Sequence, residues 1–252
     1  MKIESFPRKL FLFRNNLCMF AQTQNELHNM KHMSILAVSL LALVACTPEK
    51  KQEADYSQYV NPMIGTDFTG NTYPGAQVPF GMVQLSPDNG LPGWDRISGY
   101  FYPDTTIAGF SHTHLSGTGA GDLYDISFMP VTRPYKEAPA PLGIYSTFSH
   151  NDEAASAGYY RVLLKDYNIN VELTATERCG IQRYTFPEAE ASVFLNLKKA
   201  MNWDFTLDSK IEVVDSTTIR GYRLSQGWSP LQHVYFETRF SKPFVACHMD
   251  TT

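Results

Sequence analysis

Two histidines with one residue between them, His112 and His114, have the type and spacing of metal-binding or hydrogen-bonding side chains. Side chains two positions apart on a β-strand point to the same face, so this pair could share a zinc ion if a third ligand joined it. No cluster of cysteines or histidines accompanies the pair, and we therefore assign no metal ligand in this chain. Histidines lining a polar cleft and purely structural loop histidines are the alternatives, and the spacing does not separate them.

A tryptophan and an aspartate, Trp94 and Asp95, stand next to each other directly after Gly93. An indole carried by a loop can stack on a ligand, and a neighbouring carboxylate can accept hydrogen bonds from sugar hydroxyls. A tryptophan packed beneath its own loop fits the sequence equally well. The two residues are therefore candidate ligand contacts, with the packed arrangement as the alternative.

Hydrolysis of a glycosidic bond needs two carboxyl groups, and several aspartates lie close together in this sequence. They are Asp88, Asp95, Asp104, Asp122 and Asp125. No spacing selects a pair from them. The glycine-rich run 117–121 lacks the ending of a phosphate-binding loop, and Ser111 and Ser116 lack the surroundings of a hydrolase nucleophile. The residues alone therefore select no catalytic pair.

The elements that must position these side chains are short apolar or alternating runs divided by Gly, Pro, Asn and Asp. They lie at 81–85, 106–110, 125–129, 158–164, 170–175, 179–186, 191–197, 211–214, 218–222 and 233–240. Strands of this number and spacing predict an all-β fold, an antiparallel β-sandwich. The stretch 61–121 is dense in Gly and Pro and predicts irregular loops rather than a core, and such loops often hold binding sites.

Composition narrows the function classes. The net charge of −4 argues against nucleic-acid binding by a basic surface. An aromatic content of 13% suits both β-structure and sugar-stacking surfaces. Cys18 and Cys46 are expected outside the fold. We expect the other two cysteines, Cys179 and Cys247, to be isolated and buried, although a disulfide between them is an open alternative.

An export signal is predicted before the fold. Residues 34–45 are apolar and uncharged, too short for a membrane-spanning helix of roughly 20 residues but of signal-peptide length. The run ends at Cys46 in a sequence that resembles the lipobox of bacterial lipoproteins. A buried helix is the alternative, and the polar tail that follows disfavours it. We predict a signal peptide over 30–46, lipidation of Cys46 and a flexible tether over 47–56.

This prediction places the globular part at the cell envelope, in the periplasm or at the outer membrane, with a lipid anchor in the membrane. Residues 1–29 do not fit a signal peptide. We interpret them as a non-native upstream extension, with Met30 and Met33 as alternative start positions.

The loop-rich segments also carry a family resemblance. They read YVNPMIGT (59–66), YPGAQVPFGMVQLSPD (73–88), GWD (93–95), SGYFYPDTTIAGFSHTHLSGTGAGD (98–122) and ISFMP (126–130). In this order and spacing they resemble the N-terminal domain of glycoside hydrolase family 92, a family of exported bacterial α-mannosidases. The region 131–250 agrees mainly in its strand pattern and in the segment 175–184.

The resemblance implies a two-domain enzyme in which a β-sandwich, residues 57–252 here, precedes a larger (α/α) helical barrel. It implies calcium-dependent, inverting exo-hydrolysis of terminal α-mannosides of glycans, with an acid and a base on opposite sides of the sugar. The helical domain would supply both carboxylates and most calcium ligands. We expect it outside this chain, we interpret the C-terminal end of the chain as truncated, and we expect the chain alone to be inactive.

The resemblance also implies roles for the candidate residues. Trp94, Asp95, His112 and His114 match loops near the mannose-binding cleft and are predicted to bind substrate or to face the helical domain. Expected partners are α-mannoside glycans and that helical domain, in cis or from an adjacent reading frame. Two alternatives are a surface lipoprotein that binds carbohydrate without catalysis and a purely structural scaffold domain.

Overall fold

The computed structural model of the chain describes residues 54–249, except 118–120, 188–189 and 200–202. The predicted upstream extension, the signal peptide, Cys46 and most of the tether lie outside the described residues. The described strands are β1 (Ala76–Gln77), β2 (Gln84–Asp88), β3 (Thr106–Ile107), β4 (Gly109–Ser111), β5 (Ser127–Thr132), β6 (Glu137–Ala138), β7 (Gly143–Ile144), β8 (Ser146–Thr147), β9 (Glu153–Ser156), β10 (Tyr159–Leu164), β11 (Ile169–Ala175), β12 (Gly180–Thr185), β13 (Ala191–Asn196), β14 (Phe205–Val213), β15 (Thr218–Gln226) and β16 (Gln232–Arg239). Short 3₁₀ turns cover Ser57–Tyr59, Trp94–Arg96 and His150–Asp152.

The strands form antiparallel sheets, so the all-β prediction is confirmed. The largest has the strand order β1-β2-β4-β5-β13, the second β12-β11-β10-β9 and the third β14-β15-β16. Two small ribbons, β3-β8 and β6-β7, complete the described part. No helix among the described residues is both long enough and apolar enough to cross a membrane.

The five-stranded and four-stranded sheets pack face to face as a sandwich. Alternate residues of β10 and β11 are apolar and buried, and they pair across the two strands as Tyr160–Leu173, Val162–Val171 and Leu164–Ile169. This face packs in one core cluster with Leu85, Phe110, Met129 and Val131 of the five-stranded sheet. Burial of these apolar faces is the main favourable term holding the two sheets together.

Strand β5 is buried on both faces, because the three-stranded sheet covers the other side of the five-stranded sheet. Met129 and Val131 belong to the sandwich core, whereas Phe128 belongs to a second cluster. Partly buried Ile211 of β14 and Phe236 of β16 pack against that second cluster. Every residue of β5 is buried, as expected for a central strand covered on both sides.

Two expectations from the sequence need correction. The stretch 61–121 was expected to form loops outside the core, yet Leu85, Tyr100 and Phe110 are fully buried members of the main cluster. The reason is that this stretch supplies β1, β2 and β4, three of the strands of the five-stranded sheet. Cys179 and Cys247 are unpaired, as expected, but both are exposed rather than buried.

Candidate functional site

Trp94 stacks on a second tryptophan at the surface. It begins a 3₁₀ turn after Gly93, whose φ of 145° is one that side-chain-bearing residues rarely adopt. Its indole lies 6.5 Å, centroid to centroid, from that of Trp203, with 29° between the ring planes. Trp94 is 55% exposed and Trp203 44% exposed. The two rings, called the indole pair below, therefore form an open aromatic surface, and Trp94 is not packed beneath its loop.

An ion pair fixes the turn that carries Trp94. Arg96 donates two hydrogen bonds to Asp104, at 2.6 and 2.5 Å, and its guanidinium covers the ring of Phe101 at 4.7 Å. The hydrogen bonds to Asp104 raise the pKa of Arg96 above its ordinary value. Asp95 is half-buried, and none of the described residues donates a hydrogen bond to its carboxylate. Asp95 can thus accept hydrogen bonds from a ligand beside Trp94.

A second feature is a buried polar cluster, called the His114 cluster below, which consists of Asp88, Ser111, His114 and Lys199. Ser111 Oγ lies 3.1 Å from Asp88 Oδ1, and the Lys199 ammonium lies 3.2 Å from Asp88 Oδ2 in an ion pair whose angles do not make a hydrogen bond. Burial opposes ionisation of Asp88, but Lys199, His114 and Ser111 together outweigh it and hold the pKa of Asp88 below its ordinary value.

Both ring nitrogens of His114 are engaged inside the domain. Nδ1 lies 2.8 Å from the carbonyl oxygen of Gln84, and Nε2 lies 2.9 Å from Asp88 Oδ1. Both neighbours are oxygen atoms that accept hydrogen bonds. Gly99 approaches so closely that a Cβ there would lie 2.9 Å from Asp88 Oδ1 and from His114 Cδ2. At 2% exposure, His114 joins β2 to the segment after β4.

His112 has different partners, so the two histidines do not converge on one ligand. Its Nδ1 donates to the carbonyl oxygen of Ile126 at 2.8 Å, and its ring meets the edge of Phe128. Burial lowers the pKa of His112, which favours the neutral ring that this single donation needs. No group of three His, Cys, Asp or Glu side chains among the described residues could hold a metal ion.

The segment that His112 contacts is strained. Leu123, Tyr124 and Ile126 have φ values of 85°, 60° and 56°, a left-handed region that costs on the order of 1–3 kcal/mol for a residue with a side chain. Thr113 holds the segment in place, because its hydroxyl donates to Asp125 Oδ2 at 2.7 Å and accepts from the Asp125 backbone N–H at 2.9 Å. The residues just after β4 thus act as a clamp on 123–126.

A buried arginine on β15 joins this clamp to the indole pair. Arg223 is 1% exposed and forms ion pairs with Asp125 at 2.6 Å and with Asp204 at 2.8 Å, a set called the Arg223 cluster below. Its guanidinium also donates to the carbonyl oxygens of Leu197 and Lys199. Burial raises the pKa of Asp204, although the guanidinium opposes that shift. Asp204 directly follows Trp203, so the cluster reaches the aromatic surface.

The tip of the β15–β16 hairpin is held by another buried carboxylate. Asp122 accepts hydrogen bonds from the Trp228 backbone N–H at 2.5 Å and from the Gln232 side chain at 3.2 Å. Gly227 sits against it, since a Cβ there would lie 2.4 Å from Asp122 Oδ1. Trp228 itself is exposed, so Asp122, just before the strained segment, holds the backbone of a third surface tryptophan.

The structure separates the sequence-predicted residues into two groups. Trp94 and Asp95 lie at the surface, whereas His112 and His114 bond inside the domain. Substrate binding by these four residues stays a prediction. Four of the five aspartates considered as hydrolytic carboxyls are buried and bound to other groups, and they are Asp88, Asp104, Asp122 and Asp125.

Trp203 and Arg223 were not identified from the sequence. A signal for Arg223 does exist, because Ile219, Gly221, Arg223 and Ser225 share one face of β15, and a charged residue on an inward face marks a buried ion pair. No comparable pattern marks Trp203, whose contact with Trp94 depends on the tertiary fold.

Comparison with known proteins identifies relatives of this chain. The family model of the glycosyl hydrolase family 92 N-terminal domain matches residues 59–251. The α-mannosidase BT3965 of family GH92 from Bacteroides thetaiotaomicron, solved with mannoimidazole, is 43% identical, covers 75% of this chain and superposes with a TM-score of 0.71. The GH92 glycosyl hydrolase ccman5 is 27% identical over 73% of this chain, with a TM-score of 0.60. A protein named as an uncharacterized secreted glycosidase of Arthroderma benhamiae is 26% identical over 172 residues, or 64% of this chain.

These relatives are much longer than the matched region. The match covers 26% of BT3965 and of ccman5 and 21% of the fungal glycosidase. The chain thus spans about a quarter of the length of the solved relatives. The residues of this chain that the family model matches, 59–251, include the indole pair and both buried ionic clusters. The chain belongs to glycoside hydrolase family 92 and carries the N-terminal domain of that family.

Proposed function

We propose that this chain is the N-terminal domain of an exported, calcium-dependent, inverting exo-α-mannosidase that hydrolyses terminal α-mannosides of glycans. The domain contributes loops that bind mannose and packs against a helical catalytic domain. Family membership supports the enzyme class. The observation that carries the role of this domain is the open indole pair, Trp94 on Trp203, beside the half-buried Asp95.

The surface suits a sugar because a pyranose has an apolar C–H face and a rim of hydroxyls. The C–H face stacks on Trp94, and Asp95 accepts hydrogen bonds from the hydroxyls. His112 and His114 act on the substrate side by holding the loop segments from inside the domain. Their ring nitrogens bond to Ile126, Gln84 and Asp88 rather than to a ligand.

Catalysis itself is not assigned to this chain. Inverting hydrolysis needs two carboxyl groups roughly 6.5–9.5 Å apart, with a water between the base and the sugar. Asp88, Asp104 and Asp125 are buried in ion pairs, and Asp122 holds the hairpin tip. We therefore propose that the acid and the base come from the helical domain.

Calcium enters the proposal through the family resemblance. The residues that the structure describes do not offer a fitting site: they include no group of three potential ligand side chains. The buried carboxylates Asp125 and Asp204 already share the guanidinium of Arg223. We propose that the calcium ligands lie mostly on the helical domain.

Exposed apolar side chains on the loop segments support a partner domain. Phe68, Phe80, Met82 and Leu115 are all exposed. Exposed apolar patches mark interaction sites on proteins, and these side chains are the candidates for such a patch here. The helical catalytic domain is the partner that we propose for it.

We propose that the protein works at the cell envelope, anchored by a lipid on Cys46. The apolar run before Cys46 and the secreted fungal relative support export. Mass spectrometry of the membrane fraction tests the anchor: a diacylated N-terminal Cys46 is the expected result, and an unprocessed or lipid-free N-terminus contradicts it.

The catalytic assignment is tested on the full chain. Incubation with an aryl α-mannoside and with α-1,2-mannobiose, in the presence and absence of calcium, should release no product, because we propose that the acid and the base lie on the helical domain. Titration of methyl α-mannoside against tryptophan fluorescence should give a saturable change that Trp94→Ala abolishes. Calcium-dependent turnover by this chain would refute the proposal that the acid and the base come from the helical domain. Absence of any mannoside response would refute the binding role.

A second candidate is a surface carbohydrate-binding module without catalysis, favoured by the same indole pair because sugar stacking needs no catalytic partner. The genomic sequence past codon 252 distinguishes the two. A frame that continues into a helical domain with a carboxylate-rich motif supports the mannosidase. A stop followed by an unrelated gene supports the binding module.

A further inference from the structure

Trp203 contributes about half of the aromatic surface at the candidate site. Its ring stacks on Trp94 with the centroids 6.5 Å apart and the planes inclined by 29°. Stacked rings that were buried against each other would leave little area open, yet both indoles keep roughly half of their surface exposed. A centroid separation of 6.5 Å at 29° between the planes is an offset stack, so the uncovered parts of the two rings lie side by side.

A single guanidinium holds the backbone on both sides of Trp203. Arg223 Nη2 donates to the carbonyl oxygen of Lys199 at 3.2 Å and to the Asp204 carboxylate at 2.8 and 3.1 Å. Arg223 Nε donates to the carbonyl oxygen of Leu197 and to Thr206 Oγ1, each at 3.0 Å. These buried, charge-assisted bonds are directional, so they fix where the segment leaves β13 and enters β14.

We propose that Trp203 is a second sugar-stacking residue, which receives the second pyranose of an α-linked mannoside whose terminal mannose stacks on Trp94. Arg223 is a positioning residue that holds Trp203 in place through Asp204. The inference rests on the proposed function, because it assumes a mannoside on Trp94. It extends that function by assigning this domain a role in binding the leaving-group side of the substrate.

The binding arm compares a monosaccharide with a disaccharide by isothermal titration on the full chain. Trp203→Ala should weaken α-1,2-mannobiose binding about tenfold, the equivalent of one aromatic stacking contact, and change methyl α-mannoside binding less than about twofold. Trp203→Phe should recover part of the loss, because a phenyl ring still stacks. Tyr235→Ala removes an exposed aromatic side chain from β16 and serves as the matched control, with both affinities unchanged.

The positioning arm uses the circular dichroism of the indole bands, because two stacked indoles give an exciton couplet. Asp204→Asn keeps the size of the side chain but weakens its bond to Arg223. It should reduce the couplet and the mannobiose affinity, while methyl α-mannoside binding stays close to wild type. A thermal melt that is still cooperative shows that the fold persists in the variant.

The outcomes separate the two proposals. If Trp203→Ala leaves mannobiose affinity unchanged while Trp94→Ala abolishes it, the role of Trp203 is wrong and the proposed function stands. If Asp204→Asn folds with the couplet and the affinity intact, Arg223 does not position Trp203. If the wild-type chain binds neither sugar, the binding role and this inference both fail.

Discussion

The four-stranded sheet and the loop-rich segments before β5 satisfy the hydrogen bonds of their buried backbone in different ways. In the sheet, β10 and β11 pair along their whole length, and apolar residues such as Val162 and Val171 alternate into the core. In the loops, side chains rather than neighbouring strands bond to the backbone. The Asn89 amide donates to the Thr106 carbonyl oxygen and accepts from the Phe101 backbone N–H. Burying irregular backbone requires such polar partners, because unpaired N–H and C=O groups are costly.

This difference separates residues that mainly stabilise the fold from residues that also position the candidate site. The sheet is held by non-directional apolar contacts, so a lost side chain weakens it without moving a distant residue. The loops are held by the His114 and Arg223 clusters, whose bonds are directional, so a lost partner both destabilises the domain and shifts what the loops carry. The indole pair belongs to this second region.

The largest effect is expected from Arg223→Met, which leaves Asp125 and Asp204 buried without their counter-charge. Breaking a buried ion pair in this way costs about 3–5 kcal/mol of unfolding free energy. Arg220→Met on the same strand is the matched control, because its pair with Glu212 is exposed and should matter little. Urea unfolding followed by fluorescence measures both variants, and equal losses in the two would remove the basis for the comparison.

In the four-stranded sheet, Leu173→Ala should reduce the free energy of unfolding by about 3 kcal/mol through a cavity in the main cluster. The indole couplet in the circular dichroism spectrum should be unchanged, because apolar packing there does not position the loops. Ile181→Ala on the exposed face of β12 is the control and should have little effect. A couplet lost in folded Leu173→Ala protein would show that the two regions are not separable.

A smaller loss is expected from Gly227→Ala at the hairpin tip. The added methyl would stand 2.4 Å from a buried oxygen of Asp122, so the carboxylate must move away from the Trp228 backbone N–H. Such overpacking costs about 1–3 kcal/mol. Chemical denaturation gives the value, and a variant as stable as wild type would mean that the tip is not held by Asp122.

The smallest effect concerns pH. Burial lowers the pKa of His112 below its ordinary 6.5, so on acidification the unfolded chain takes up a proton before the folded chain does. The free energy of unfolding should therefore fall as the pH drops below 6.5 towards the folded-state pKa. His112→Gln can still donate to Ile126 and should make this decline shallower. Identical pH slopes for variant and wild type, measured by denaturant titration, would contradict a buried neutral ring.

The same division explains what the sequence could predict. The predicted strands at 158–164, 170–175 and 191–197 agree closely with β10, β11 and β13, because their periodicity is local. Strand β9, with the sequence EAAS, has no such pattern and is set by its pairing with β10. Strand β14 begins at Phe205, earlier than the predicted 211–214, because an irregularity between Thr206 and Asp208 interrupts its alternation.

The candidate site was predictable only in part. Trp94 and Asp95 were identified because residue type and loop context suffice to suggest ligand contact. The two-residue spacing of His112 and His114 suggested one shared face, but β4 ends at Ser111 and the spacing rule for strands no longer applies beyond it. Trp203 reaches Trp94 through the fold of three sheets, which no local pattern encodes.

The most direct test of the central claim is a titration of the full chain with α-1,2-mannobiose, followed by the nitrogen–proton correlation signals of its three indole groups. Single Trp→Phe variants assign the signals. We expect saturable shifts of the Trp94 and Trp203 signals, with no mannose released during the experiment. Signals that stay unshifted at saturating sugar, or release of free mannose, would contradict it.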